Sequence, residues 1–230
     1  MSASTDRDGP PAAAWSPALL QAAVLLVGLS AGLWPQAIFP SKSPVGAGAL
    51  PTLQALAVSH VIFVLLIWPL MLMRGADGEA VRPGRAIVAA TVYVVVSAPF
   101  YVAAAWLGDA GPVDVIRTAV YVACLAPLGL AAGTYMARGR AGGSWVLLAM
   151  LVVVAGVPAA HYIAREFLSG AGDAGWLWRL GPATGVWDVA APAGQSLVPM
   201  CVWPLAVYFA AAAAISVAGM MLKRKGKKMA

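Results

Sequence analysis

The stretch at residues 87–140 constrains this chain most. An apolar segment runs into the polar turn Gly-Asp-Ala-Gly-Pro-Val-Asp (108–114), and a second apolar segment follows. Each segment is about twenty residues, enough at 1.5 Å per residue to cross a hydrocarbon core of about 30 Å. The pattern predicts a transmembrane helical hairpin. Composition agrees: 61% of the 230 residues are hydrophobic and only 10% are charged, where a soluble domain carries about 25% charged residues. A soluble fold would have nowhere to bury this much apolar surface, so the bilayer is the solvent.

Four more apolar segments flank the hairpin. The six spans are placed near residues 18–39, 51–73, 86–107, 113–136, 144–163 and 195–222. Basic residues order them. The second loop holds Arg74, Arg82 and Arg85, the fourth Arg138 and Arg140, and the C-terminal end five Lys or Arg between Lys223 and Lys228. The odd loops hold only Lys42, then none, then Arg165 and Arg179. The positive-inside rule then puts both termini in the cytoplasm, and an even number of spans agrees. The expected fold is an all-α membrane protein of six transmembrane helices. Residues 1–17 are expected as a flexible cytoplasmic tail without signal-peptide features, 18–222 as the transmembrane domain, and 223–230 as a basic cytoplasmic tail. Trp34, Trp68, Trp106 and Trp145 fall near span ends, where an aromatic belt would place them.

The fifth loop is unusual. Trp176, Leu177, Trp178 and Leu180 are too apolar for a solvated connection, while the glycines and prolines of 175–192 break it too often for a span. One or two short helices, interfacial or re-entrant, are expected there, as a packing lid or as a gate. Prolines at 69, 99, 127, 158, 199 and 204 lie inside spans and bend them, as packing kinks or as hinges. Gly28/Gly32 and Gly129/Gly133 allow close helix approach, within the bundle or at a dimer seam.

The order of these features resembles a known family. Ser-Ala-Pro-Phe-Tyr-Val-Ala-Ala-Ala-Trp-Leu-Gly (97–108), Val-Asp-Val-Ile-Arg (113–117) and Leu-Gly-Leu-Ala-Ala-Gly-Thr-Tyr-Met-Ala-Arg (128–138) are similar to the permease of the type-2 ABC exporter class. Gly-Pro-Ala-Thr-Gly-Val-Trp-Asp (181–188) stands where that class has short outer helices. Leu-Trp-Pro-Gln-Ala-Ile (33–38) is similar to its short permeases, such as the membrane subunit of the cytochrome c-type haem exporter. The resemblance implies an export subunit with an ATPase docked on the second loop, at Arg74, Asp77, Glu79, Arg82 and Arg85. Two features depart from the family. An acidic, proline-rich tail replaces the basic amphipathic helix at the start, and the second loop is short. Both bear on ATPase coupling, so a permease-like subunit with reduced coupling stays open.

Few residues could carry chemistry. His60 lies about 13 Å into the second span, and His161 near the outer end of the fifth. Two such histidines are the minimum for a bis-His haem b. Hydrogen-bonded packing, or His60 on a substrate path, are the other readings. Asp114 and Arg117 share a helical face, as an ion pair at the outer mouth or as an anion-attracting group. Cys124 and Cys201 both lie in apolar segments and give neither a structural disulfide nor metal spacing. There is no phosphate-binding loop before a Lys-Ser/Thr pair, no Ser/His/Asp set, no HExxH and no CxxC. The sequence therefore reads as no enzyme and as having no metal site, no expected cofactor and no nucleic-acid partner. The expected partners are the lipid of the inner membrane and an ATPase or other membrane subunits, in a homo- or hetero-oligomer. Three functions stand: an export permease, a structural or haem-b-bearing anchor of a respiratory or photosynthetic complex, and an accessory subunit of a larger machine.

Overall fold

The computed structural model describes residues 17–38, 50–75, 83–108, 110–137, 142–167, 178, 180–191 and 198–228. The described residues are almost entirely helical and include no strand. The helices are α1 (Pro17–Ile38), α2 (Leu50–Ile62), α3 (Trp68–Gly75), α4 (Pro83–Gly108), α5 (Pro112–Met136), α6 (Gly143–Leu151), α7 (Val157–Phe167), α8 (Pro182–Val189) and α9 (Val198–Lys228). The all-helical, lipid-suited class is as expected. Among the described residues four helical stretches are long and apolar enough to cross a membrane: Thr52–Met73, Thr91–Gly108, Pro112–Met136 and Gly143–Ala164. Pro17–Leu33 and Trp203–Ala218 are shorter apolar helices. The basic 223–228 stretch continues α9 as helix.

Two of these stretches contain a π-helical turn. Phe63–Ile67 joins α2 to α3, and Val152–Gly156 joins α6 to α7. A proline follows each turn by two residues. The Trp68 amide donates five residues back to the Phe63 carbonyl, and the next residue, Pro69, has no N–H to give Val64. The Val157 amide likewise donates to Val152, and Pro158 has none for Val153. A proline ring crowds the carbonyl four residues before it, and a widened turn relieves that crowding. Pro99, Pro127 and Pro204 lie inside unbroken α-helices.

The α2–α3 stretch is the centre of the bundle, with α1, α4, α5 and α8 packed on it. Half of its apolar window is buried, against 11% for the Gly143–Ala164 stretch, which lies at the periphery. Leu56, Phe63, Leu65 and Trp68 from the centre are buried with Leu25 of α1 and with Val122 and Leu125 of α5. Gly28, Gly129 and Gly133 explain how closely α1 and α5 approach the centre. A Cβ on Gly28 would overlap the Ser59 side chain. One on Gly129 would overlap the Val64 carbonyl oxygen, which Pro69 leaves without its helical donor, and one on Gly133 would stand 2.7 Å from Leu72 Cδ1. These glycines are therefore seams inside one chain.

Trp68 is not part of a belt. It is 2% exposed, packed edge-on against Tyr93 at 4.8 Å and beside Gly129. Trp106 and Trp145 are 85% and 73% exposed, as a belt requires; the Trp34 side chain lies outside the described residues. The 108–114 turn is shorter than its polarity implies. Gly111 is extended and Pro112 opens α5 at its first position, where the missing N–H costs nothing. Asp77, Glu79 and Arg82 lie outside the described residues. Arg74 and Arg85 lie near the facing ends of α3 and α4, with side chains outside the description.

Candidate functional site

Helix α8 packs on α2, α5 and the second π turn. Its sequence starts it: Gly181 is extended and Pro182 occupies the first turn. Polar bonds from three helices hold it. Gln54 Nε2 of α2 donates to the Trp187 carbonyl at 3.0 Å. Arg117 of α5 donates from Nε to Val189 O at 2.8 Å, and from Nη2 to Ala191 O. The Tyr208 hydroxyl of α9 donates to the Leu180 carbonyl. The last carbonyls of a helix lack internal donors and carry partial negative charge, so a guanidinium there satisfies both needs. Asp114, one turn before Arg117, accepts from Nη2 at 3.0 Å and holds the guanidinium in place. The pair singled out in the sequence is thus the clamp of α8, with three acceptors on one arginine.

The segment entering α8 is tied down as well. Trp178 Nε1 donates to Asp188 Oδ2 at 2.8 Å, and the Thr184 hydroxyl lies on the carbonyls of Trp178 and Gly181. The His161 ring of α7 packs on Trp178, with centroids 4.9 Å apart. Its Nδ1 is buried without a hydrogen-bond partner.

His60 belongs to a different cluster. It is buried between α1 and α4, with Nδ1 3.1 Å from Tyr101 Oη and Nε2 3.4 Å from Gln21 Nε2. Gln21 Nε2 also donates to the Tyr93 carbonyl at 3.1 Å. That contact fixes the amide orientation, since a carbonyl can only accept. Gln21 Nε2 is then a donor toward His60 Nε2, so the neutral imidazole carries its proton on Nδ1 and donates it to Tyr101. The cluster ties three helices together where lipid offers no other partner. Both ring nitrogens of His60 face protein groups, and the described contacts of His60 and His161 share no residue.

Between these features lies an apolar cleft of about 360 Å³. Val58, Ile62 and Leu66 form one wall, and Val154, Ala155 and Pro158 the other. Trp178 and Trp187 close the α8 end. Both π turns contribute to its walls, because Leu66 lies in the first and Val154 in the second.

The sequence flagged His60, His161, Asp114 and Arg117, and passed over their partners. Gln21 and Gln54 carried a usable signal, since an uncharged amide inside an apolar segment needs a partner. Tyr101 and Tyr208 carried a weaker one, since a single hydroxyl on a large apolar ring is common inside apolar segments. Among the described residues no three His, Cys, Asp or Glu converge as metal ligands. Compared with protein-family models, curated proteins and solved structures, the chain matches none.

Proposed function

We propose that the chain is a permease-like membrane subunit of an export complex, related to the type-2 ABC exporter class and with reduced coupling to an ATPase. In this reading it crosses the inner membrane six times, with both termini in the cytoplasm and α8 at the outer surface. The arrangement of α8 carries the reading. A short helix follows the fifth apolar segment, precedes the sixth, and is clamped to the bundle by Gln54, Arg117 and Tyr208. It stands where that exporter class has short outer helices. Charge placement supports the same orientation: α5 carries Arg117 at the α8 end, and Arg138 and Arg140 follow its other end. The chain's centre is filled by Leu56, Phe63 and Leu125, so the path runs between copies or between this chain and a partner.

The test is purification in mild detergent with a photo-cross-linker at position 79. A nucleotide-binding subunit should co-purify and cross-link within residues 74–85. A stable complex lacking such a subunit overturns the reading. A C-terminal tag reached by an impermeant reagent from outside intact cells overturns the topology.

One observation favours a second reading, an accessory subunit that only packs. His60 and Arg117 both spend their polar atoms within the chain. If His60→Ala and Arg117→Ala leave ATP-driven transport by the assembled complex unchanged, that reading replaces the first.

A further inference from the structure

We propose that the cleft between α2, the second π turn and α8 binds one acyl chain of a membrane phospholipid. The inference rests on the apolar helices lying in lipid and not on the export reading.

Depth comes first. Val58 and Leu66 are eight residues apart on the Thr52–Met73 stretch, about 12 Å of helix. Val154 and Pro158 lie mid-way along the Gly143–Ala164 stretch. Both walls therefore sit within the hydrocarbon layer. The cleft is also continuous with the chain's lipid-facing surface. Ala155 and Trp187 are exposed while lining it, and Leu151 and Val152 beside it are about half exposed.

Polarity excludes water as the occupant. Of the lining side chains only Thr184, Trp178 and Trp187 carry polar atoms. The Thr184 hydroxyl is spent on backbone carbonyls and the Trp178 N–H on Asp188. A bound water needs two to four polar partners, and these walls do not supply them.

The cleft offers about 360 Å³, within the range that buries a small ligand. A flexible hydrocarbon chain enters such a space from the side, fills it at close-packed contact and leaves its headgroup at the α8 end. The two π turns each place a residue on the cleft, Leu66 from the first and Val154 from the second.

The full-length protein in phosphatidylcholine nanodiscs, with a trace of phosphatidylcholine bearing a diazirine on one acyl chain, tests this. On illumination, peptides holding residues 58–66, 154–158 and 178–187 should carry at least five-fold more label than the lipid-facing α4 peptide containing Val94 and Val102. Ala155→Trp, which fills the cleft from an exposed position, should remove that excess and leave α4 labelling unchanged. Equal labelling of both surfaces, or an excess that survives Ala155→Trp, overturns the proposal. Should that variant fail to fold, a photoreactive residue at position 155 of the otherwise unaltered chain decides. A phospholipid adduct supports the site, and a protein adduct or none overturns it. Loss of the export reading would leave these outcomes unchanged.

Discussion

In α2–α3 the Trp68 amide reaches back to Phe63 and a proline follows; in α6–α7 the Val157 amide reaches back to Val152 and a proline follows. The local chemistry is the same: a widened turn, then a residue with no N–H. The surroundings are opposite. The first turn is walled in, with Phe63, Val64 and Leu65 buried and Gly129 of α5 laid against the Val64 carbonyl. The second faces lipid, with Val154 its one buried residue. A following proline is common to both turns, but Pro99, Pro127 and Pro204 sit in unbroken α-helices, so local sequence does not set such a turn alone, and its tolerance to change is set by what packs on it. Within lipid that packing is the larger part, because apolar side chains gain little by leaving hydrocarbon.

The comparison breaks most sharply at two glycines. Gly129→Leu forces bulk into the Val64 carbonyl, and overpacking a tight seam costs about 3 kcal/mol. Its unfolding midpoint in mixed micelles should fall far more than that of any variant at the second turn. An unchanged midpoint would mean that the seam is loose. His60→Ala comes next. It strands the Tyr101 hydroxyl one turn from the buried π turn, while Gln21 Nε2 keeps the Tyr93 carbonyl, and an orphaned buried polar group costs about 1–3 kcal/mol. The same assay, with faster amide exchange around residues 60–68, checks it. Arg117→Met removes the donors from the end of α8 and should cost about 1–2 kcal/mol. Its distinct signature is proteolytic cutting within 180–191 while α2–α5 stay protected. The smallest effect belongs to Gly156→Ala in the second π turn. The new methyl meets Val152 Cγ1 at 3.4 Å, an ordinary contact, and alanine favours helix by up to about 1 kcal/mol. The midpoint should hold or rise slightly; a fall like that of Gly129→Leu would erase the contrast between the two turns.

Much of this was legible along the chain. Apolar runs and basic loops marked the helices, and Gly181-Pro182 marked the start of α8. Pro69 and Pro158 announced disturbed helices, though not that each would widen the turn before it. Gly129-xxx-Gly133 announced close approach. What approaches it is a carbonyl freed by a proline sixty residues earlier, and sequence spacing does not carry that. Trp68 looked like a belt residue because it stands near a span end; the slot that buries it exists only once α5 is docked. Arg117 looked like a charge at a mouth because its acceptors, Val189 and Ala191, are more than seventy residues away. Long-range polar pairs of this kind are set by the packing of helices, not by any local pattern.

Helix α9 has one further consequence. It runs unbroken for 31 residues to Lys228, about 46 Å of rigid backbone against a hydrocarbon layer of about 30 Å. In the sequence, five cations occupy the last six positions of this helix: Lys223, Arg224, Lys225, Lys227 and Lys228.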